Sequence, residues 1–256
     1  TLLDATSRKA EEPKPVFRPV VDGHFLRQLP EAVFAAGEQA KVPLLLGSNS
    51  QDGDYTMLLE DAEPTPEKWR ALLQRLFQSK ADEALALYPG HDQDEVVHSA
   101  TTLVNDVGIN NQIWRWMESH RAAYLPAYVY TYTHPLPPKR DAQPNEQTAT
   151  GAVHGAQVEY ALGNLDGEPS YAWTAEDYEV SRIFSGYIAQ FVKNGDPNGR
   201  GLPQWRPVRD EEGGVPRQMI GANTFTEIAR EAQRQALVTS LFNTVAGTLG
   251  FRQDED

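Results

Sequence analysis

The sequence predicts an α/β fold in which helices cover both faces of a mostly parallel sheet. Two short runs are typical of strands in such a sheet. Residues 42–46 are continuously apolar and end in a turn, and residues 127–133 are aromatic and β-branched. Helical patterns alternate with these strands along the chain, which is the order that favours α/β architecture.

Helix signals fill the segment between the two strands. Thr65 is a typical N-cap and Pro66 suits the first helical position. The apolar stripe of this helix is formed by Leu72, Leu73, Leu76 and Phe77. A longer helical region is predicted over residues 94–123, and Gly108 is expected to interrupt it.

Three further elements are predicted after the second strand. Thr174 caps a helix that Gly195 ends. Residues 217–220 form a last short strand, and residues 227–242 a last helix. Tyr128, Tyr130 and Tyr132 lie on one face of their strand, which indicates packing rather than binding.

The domain prediction follows from the small number of strands. Three or four strands leave an edge and a face of a parallel sheet uncovered. We therefore expect residues 1–256 to be the C-terminal portion of a single domain that is incomplete without an N-terminal segment. Within it, residues 1–16 are polar and predict a linker or tail, and residues 60–125 a helical subdomain.

Composition excludes several classes of site and partner. The formal charge of −13 and the pI of about 4.9 disfavour nucleic acid and anionic membranes as partners. The absence of cysteine excludes disulfides, thiolate catalysis and zinc–thiolate sites. No apolar run approaches the roughly 20 residues of a membrane span. His91 and His98 are seven residues apart, a spacing that does not fit a metal motif. The sequence does not indicate a cellular compartment.

Two loops carry the candidate catalytic residues, Asp52 after the first strand and His154 after the second. Catalytic groups of α/β sheets lie at the carboxyl ends of strands, and an acid followed by a histidine is the chain order of α/β-hydrolases. A histidine transfers protons near neutral pH, and a carboxylate on its other ring nitrogen orients it. The spacing alone also fits an ordinary Asx-Gly turn and a structural histidine.

Four ordered segments resemble the type-B carboxylesterase/cholinesterase family. They are RPVVDGHFL at 18–26, VPLLLGSNSQDG at 42–53, HGAQVEYALGN at 154–164, and FVKNGDPN at 191–198 followed by PQW at 203–205. All four are similar to segments from the C-terminal half of that family. The resemblance implies an α/β-hydrolase fold, a serine esterase without a cofactor, Asp52 as the triad acid and His154 as the base.

The chain departs from the family pattern at two positions. The acid is commonly Glu where this chain has Asp52, and Asp54 is a nearby rival for the role. The family often has an acid where this chain has Gln157, although Glu159 remains and is expected to anchor the loop by hydrogen bonds.

No G-x-S-x-G nucleophile segment and no Gly-rich oxyanion loop occur in the sequence. In the family both belong to the N-terminal half. We therefore expect an ester hydrolase whose Ser and oxyanion hole come from an N-terminal part or a companion chain. Two alternatives remain: a non-catalytic interaction or adhesion module, and an autonomous α/β domain with another role.

Overall fold

In the part of the chain that the structure describes, four strands form one sheet in the order β1-β2-β3-β4. They are β1 (Leu44–Asn49), β2 (Ala127–Tyr132), β3 (Val215–Ile220) and β4 (Phe225–Ala229). The first three strands run parallel, and β4 runs antiparallel to β3. In the register of β1 with β2, Asn49 lies opposite Tyr132, so both strands end at the same edge of the sheet. The loops that follow them therefore meet.

The computed structural model describes residues 19–59, 63–143, 151–209 and 214–248, with side chains to residue 242 of the last helix. The chain divides into two units, residues 1–39 and 40–256. The first unit contains helix α1 (Pro30–Ala35). The predicted tail, residues 1–16, lies outside the described residues.

The helices of the second unit connect the strands. They are α2 (Thr56–Leu59), α3 (Pro66–Phe77), α4 (Ala81–Leu87), α5 (Gln93–Asn105), α6 (Asn111–Ala122), α7 (Val158–Leu162), α8 (Ala175–Asn194) and α9 (Ala232–Thr248). Single 3₁₀ turns occur at Gln78–Lys80 and Leu165–Gly167. None of the helices in the described residues combines the length and the apolar character needed to cross a bilayer.

The predicted helix caps are confirmed. Thr65 Oγ1 accepts a hydrogen bond from the backbone N–H of Lys68 at the start of α3. Thr174 and Asp177 form a reciprocal capping box at the start of α8. Gly195 ends α8 in the left-handed region, with φ of 71°.

The predicted interruption at Gly108 takes the form of a π-helical turn, Asp106–Asn110, which joins α5 to α6. The segment between β1 and β2 contains helices and turns and no strand in its described residues. That residues 60–125 form a subdomain stays a prediction.

Two predicted boundaries were wrong. The first strand does not end at Leu46 but continues to Asn49, because residues 47–49 pair with Tyr130, Thr131 and Tyr132. The last helix does not begin at Glu227, which lies in β4 opposite Arg217. The pairing of β4 with β3 overrides the helical pattern there, since strand formation depends on cross-strand neighbours more than on local propensity.

Helices pack on both faces of the sheet, as the alternation of elements predicts, whereas the expected uncovered face is not found among the described residues. The outer edge of β1 has no partner strand in that part of the chain. On one face the tyrosines of β2 pack with α8, and the ring of Tyr132 stacks on Phe184 at 5.6 Å. On the other face Val129 packs with Met117 of α6. A third cluster joins α3, α4, α5 and α9 around the buried Trp69. The sheet that carries the two loops is thus packed by helices on both faces.

Candidate active site

The two predicted loops are joined edge to edge beyond the ends of β1 and β2. Gln51 and Val153 form a parallel bridge, in which the Gln51 N–H donates to Ala152 O at 2.9 Å. The Ala152 N–H donates to Ser50 Oγ at 3.0 Å. These bonds extend the pairing of β1 with β2 into the loops, and so they fix the loops relative to each other.

This arrangement brings together the two predicted residues. The Nδ1 atom of His154 lies 2.8 Å from Oδ1 of Asp52. A carboxylate can only accept, so the proton of this bond belongs to Nδ1. In the neutral ring with this tautomer, the other nitrogen, Nε2, holds a lone pair, which is the form of imidazole that works as a general base.

Exposure differs sharply between the two partners. The His154 side chain is 74% exposed and that of Asp52 only 8%. The second carboxylate oxygen of Asp52, Oδ2, accepts the backbone N–H of Asn49 at 2.8 Å. The acid is thus buried and held at both oxygens, while the ring of the histidine faces outward.

Asn105, the last residue of α5, holds the acid loop from the opposite side. Its Oδ1 accepts the N–H of Gly53 at 2.9 Å, and its Nδ2 donates to Ser50 O at 3.3 Å. A Cβ at Gly53 would come within 2.5 Å of Val104 Cγ1, so only glycine allows this close approach.

Asp54, the rival acid, has a different task. Its carboxylate accepts the N–H of Thr56 at 2.8 Å and also the Thr56 hydroxyl. It therefore caps the short helix α2 rather than facing His154.

The histidine loop turns immediately after His154. Gly155 has φ of +82°, a conformation that glycine adopts without strain. Helix α7 follows, and its Tyr160 hydroxyl donates to Asp177 Oδ1 at 2.6 Å. The carboxylate of Glu159, expected to anchor this loop, accepts Asn164 Nδ2 at 3.0 Å, beyond the end of α7.

The acid also affects its surroundings electrostatically. The pKa of the Tyr130 hydroxyl is raised, first by burial and second by the negative charge of Asp52. Tyr130 therefore stays protonated beneath the acid loop.

A metal centre finds no support in the described part of the chain, where no three His, Cys, Asp or Glu side chains are grouped to hold an ion. His91 precedes α5, and its Nδ1 is instead 2.5 Å from the carboxylate of Glu95 in the first turn of that helix. Trp114 packs in the cluster of Met117, whereas Trp116 is exposed.

Sequence reasoning missed the asparagines that hold the acid loop. Asn49 stands inside the segment that resembles the family pattern, so the motif was an available signal. Asn105 is distant in sequence and stands in no such segment. Gln157 appeared only as a departure from the pattern, yet its Oε1 accepts Asn49 Nδ2 at 2.7 Å.

Comparison with known proteins identifies the family. The model of the carboxylesterase family matches residues 1–236. The chain is 28% identical over 229 residues to the liver carboxylesterase of Sus scrofa, covering 83% of this chain and 39% of the relative. It is 25% identical over 225 residues to carboxylesterase 1E of Mus musculus, covering 80% and 38%.

A solved structure of a PNB esterase superposes with a TM-score of 0.59 at 22% identity, over 88% of this chain and 44% of that one. This likeness shows the α/β-hydrolase fold. The chain spans about two fifths of the length of the relatives that it matches. With the family model matching most of its length, the chain belongs to the carboxylesterase family.

Proposed function

We propose that this chain supplies the histidine and the acid of a Ser-His-Asp triad in a carboxylic ester hydrolase. The observation that supports this most directly is the 2.8 Å bond between His154 Nδ1 and Asp52 Oδ1 at the carboxyl ends of β1 and β2. Family membership supports ester hydrolysis as the reaction class.

The serine and the oxyanion hole are proposed to come from a different portion of the protein, either an N-terminal segment or a companion chain. No G-x-S-x-G segment occurs in the sequence. In the described part of the chain, His154 Nε2 has no hydroxyl partner, and the ring is 74% exposed. That exposure leaves room for a nucleophile delivered by another segment.

The chemistry follows from the tautomer. The serine oxygen attacks the ester carbonyl while His154 Nε2 takes its proton, and the tetrahedral oxyanion forms. Asp52 stabilises the resulting imidazolium. The Nε2 proton then passes to the alkoxide leaving group, and the acyl-enzyme remains. Water repeats the sequence: its oxygen attacks the acyl carbon while His154 takes its proton. The acyl–serine bond then breaks, the carboxylic acid leaves, and the serine oxygen recovers the proton from His154.

The proposed substrate is a small carboxylic ester, and no cofactor enters these steps. The formal charge of −13 supports the expectation that nucleic acid and anionic membranes are not partners. The loop of residues 135–152 is proposed to border the site, because its end at Ala152 bonds to Ser50. Part of that loop, residues 144–150, lies outside the described residues.

The test is His154→Ala in the assembled esterase, with a nitrophenyl ester as substrate. Loss of the base is expected to lower kcat by at least about 10³-fold. The melting temperature should change little, because the ring is exposed. The matched control is His91→Ala. His91 is also exposed and also bonded through Nδ1 to a carboxylate, but its partner, Glu95, belongs to α5 and not to the loops after β1 and β2. Full turnover by His154→Ala would end the proposal.

The second candidate, a non-catalytic interaction module, is disfavoured because both triad positions hold competent residues in bonding geometry. A fluorophosphonate probe separates the two. The hydrolase is expected to be labelled on a serine outside this chain, in a manner that depends on His154. An assembled protein that stays unlabelled would favour adhesion.

A further inference from the structure

Asn49, the last residue of β1, contacts both loops of the candidate site. Its backbone N–H donates to Asp52 Oδ2 at 2.8 Å. Its side-chain Nδ2 donates to Val153 O at 2.6 Å and to Gln157 Oε1 at 2.7 Å. Asn49 thus bonds to the acid, to Val153 immediately before His154, and to Gln157 three residues after it.

The orientation of the Asn49 amide is fixed by these partners. Val153 O can only accept, so the NH₂ group must face it. The second hydrogen of the same group reaches Gln157 Oε1. Only 2% of Asn49 is exposed, and its Oδ1 is buried without a hydrogen-bond partner in the described part of the chain. An unsatisfied buried oxygen costs stability. The two Nδ2 bonds to the histidine loop are therefore what the asparagine side chain contributes at this position.

We propose that Asn49 is a positioning residue that holds His154 in bonding register with Asp52. This inference rests on the proposed function and adds to it the group that aligns the pair. The backbone N–H of Asn49 holds the acid and its side chain holds the histidine loop, so a shift of Asn49 moves both partners together.

The variant Asn49→Asp tests this link with almost no change in size. It places an acceptor opposite Val153 O, where a donor is required, and the two oxygens repel each other. Gln157 can still turn its own NH₂ toward the new carboxylate. The change therefore acts mainly on the residue next to His154. Misplacement of a catalytic group by about 1 Å lowers the rate by about 100-fold, so we expect kcat to fall by about 100-fold with KM little changed.

Asn111 provides a matched control. It is also a buried asparagine whose Nδ2 donates to a backbone oxygen, Gln235 O, and to a glutamine side chain, Gln235 Oε1. Its Oδ1 is likewise buried with no partner among the described residues. Asn111 lies on α6 and bonds to α9, not to the loops. Asn111→Asp is expected to lower the melting temperature, as Asn49→Asp does, while kcat of the folded enzyme is kept.

A second pair of variants covers the case in which Asn49→Asp does not fold. Gln157 is only partly buried, and Gln157→Leu removes one of the two side-chain bonds of Asn49. The loss of one such bond is expected to lower kcat by about tenfold. Gln157→Glu keeps an acceptor for Asn49 Nδ2 and should lose less activity than Gln157→Leu.

The outcomes separate this inference from the proposed function. A kcat loss in Asn49→Asp without one in Asn111→Asp, or a larger loss in Gln157→Leu than in Gln157→Glu, supports the positioning role. Unchanged kcat in Asn49→Asp or Gln157→Leu, or an equal loss in Asn111→Asp, overturns it. If His154→Ala is inactive in the same assay, the hydrolase proposal survives that result. If His154→Ala is active, the hydrolase proposal fails, and the positioning role of Asn49 fails with it.

Discussion

Two histidine–aspartate pairs in this protein have almost the same bond length but differ strongly in exposure. His154 Nδ1 lies 2.8 Å from Asp52, and His134 Nε2 lies 2.9 Å from Asp177. The side chain of His154 is 74% exposed, whereas that of His134 is 9% exposed. The bond length alone does not distinguish them.

The second pair belongs to a closed network. The Asp177 carboxylate also accepts the hydroxyls of Tyr160 and Thr174, at 2.6 Å each. The imidazole of His134 packs edge-on against the ring of Tyr160 at 5.6 Å. A substrate cannot reach a ring enclosed in this way. The pair therefore joins the segment after β2 to α7 and α8 instead of transferring protons.

The comparison shows that burial of the imidazole determines whether a histidine–carboxylate pair can transfer protons to a substrate or only stabilise the fold. Both acids are buried and bonded to backbone N–H groups as well as to the ring. The two pairs differ in the side of the imidazole that faces away from the acid, which is exposed to solvent in His154 and buried in His134. Variants of the two acids should therefore separate activity from stability.

The largest effect is expected from Asp52→Asn. The amide can donate to Nδ1, which favours the tautomer with its proton on Nε2 and removes the base. We expect kcat/KM for a nitrophenyl ester to fall on the order of 10⁴-fold, equivalent to about 5.5 kcal/mol. Asp54→Asn, two residues along the same loop, is the control and should stay within a few-fold of the parent. Equal losses in the two variants would contradict the assignment of the acid.

A smaller effect, on stability, is expected from Asp177→Ala. His134 and the hydroxyl of Tyr160 lose their buried acceptor, and α8 loses its capping box. The free energy of unfolding should drop by about 3 kcal/mol, measured in urea, while kcat of the folded protein changes little. Glu176→Ala is the control, because it removes an exposed carboxylate from the same turn of α8. It should lower the free energy of unfolding by no more than about 0.5 kcal/mol. A loss of kcat comparable to that of Asp52→Asn would contradict the contrast between the pairs.

The smallest effect concerns pH. Burial acts to raise the pKa of Asp177, but hydrogen bonds from Thr174, Tyr160 and His134 outweigh it, and the pKa lies below the ordinary value of 3.8. A carboxyl whose pKa is lowered by folding stabilises the folded state above its unfolded pKa. That contribution disappears as the pH falls through the lower, folded value.

The difference in unfolding free energy between the parent and Asp177→Asn should therefore be constant down to a pH of about 4 and shrink below it. Urea unfolding at a series of pH values measures this difference. A difference in unfolding free energy that stays constant through the acid range would contradict a stabilising role for the ionised Asp177.

The sequence by itself determined the elements whose signals are local. Thr65, Thr174 and Gly195 mark helix ends because caps depend on bonds within a few residues. The alternation of helices with apolar strands predicted the layers, and the order of acid and histidine, with the family segments, predicted which loops carry the site. The catalytic roles of Asp52 and His154 themselves stay predictions.

Only the tertiary structure decided the features that depend on distant partners. Asp52 and Asp54 stand in the same loop, and the bend beyond Asn49 determines which carboxylate faces His154. Glu227 lies in a strand because β3 is there to pair with it. Asn49 and Asn105 bond across more than 50 residues of chain, and no local pattern encodes a partner at such separation. Propensity and spacing act along the backbone, whereas these contacts exist only once the sheet has brought its two loops together.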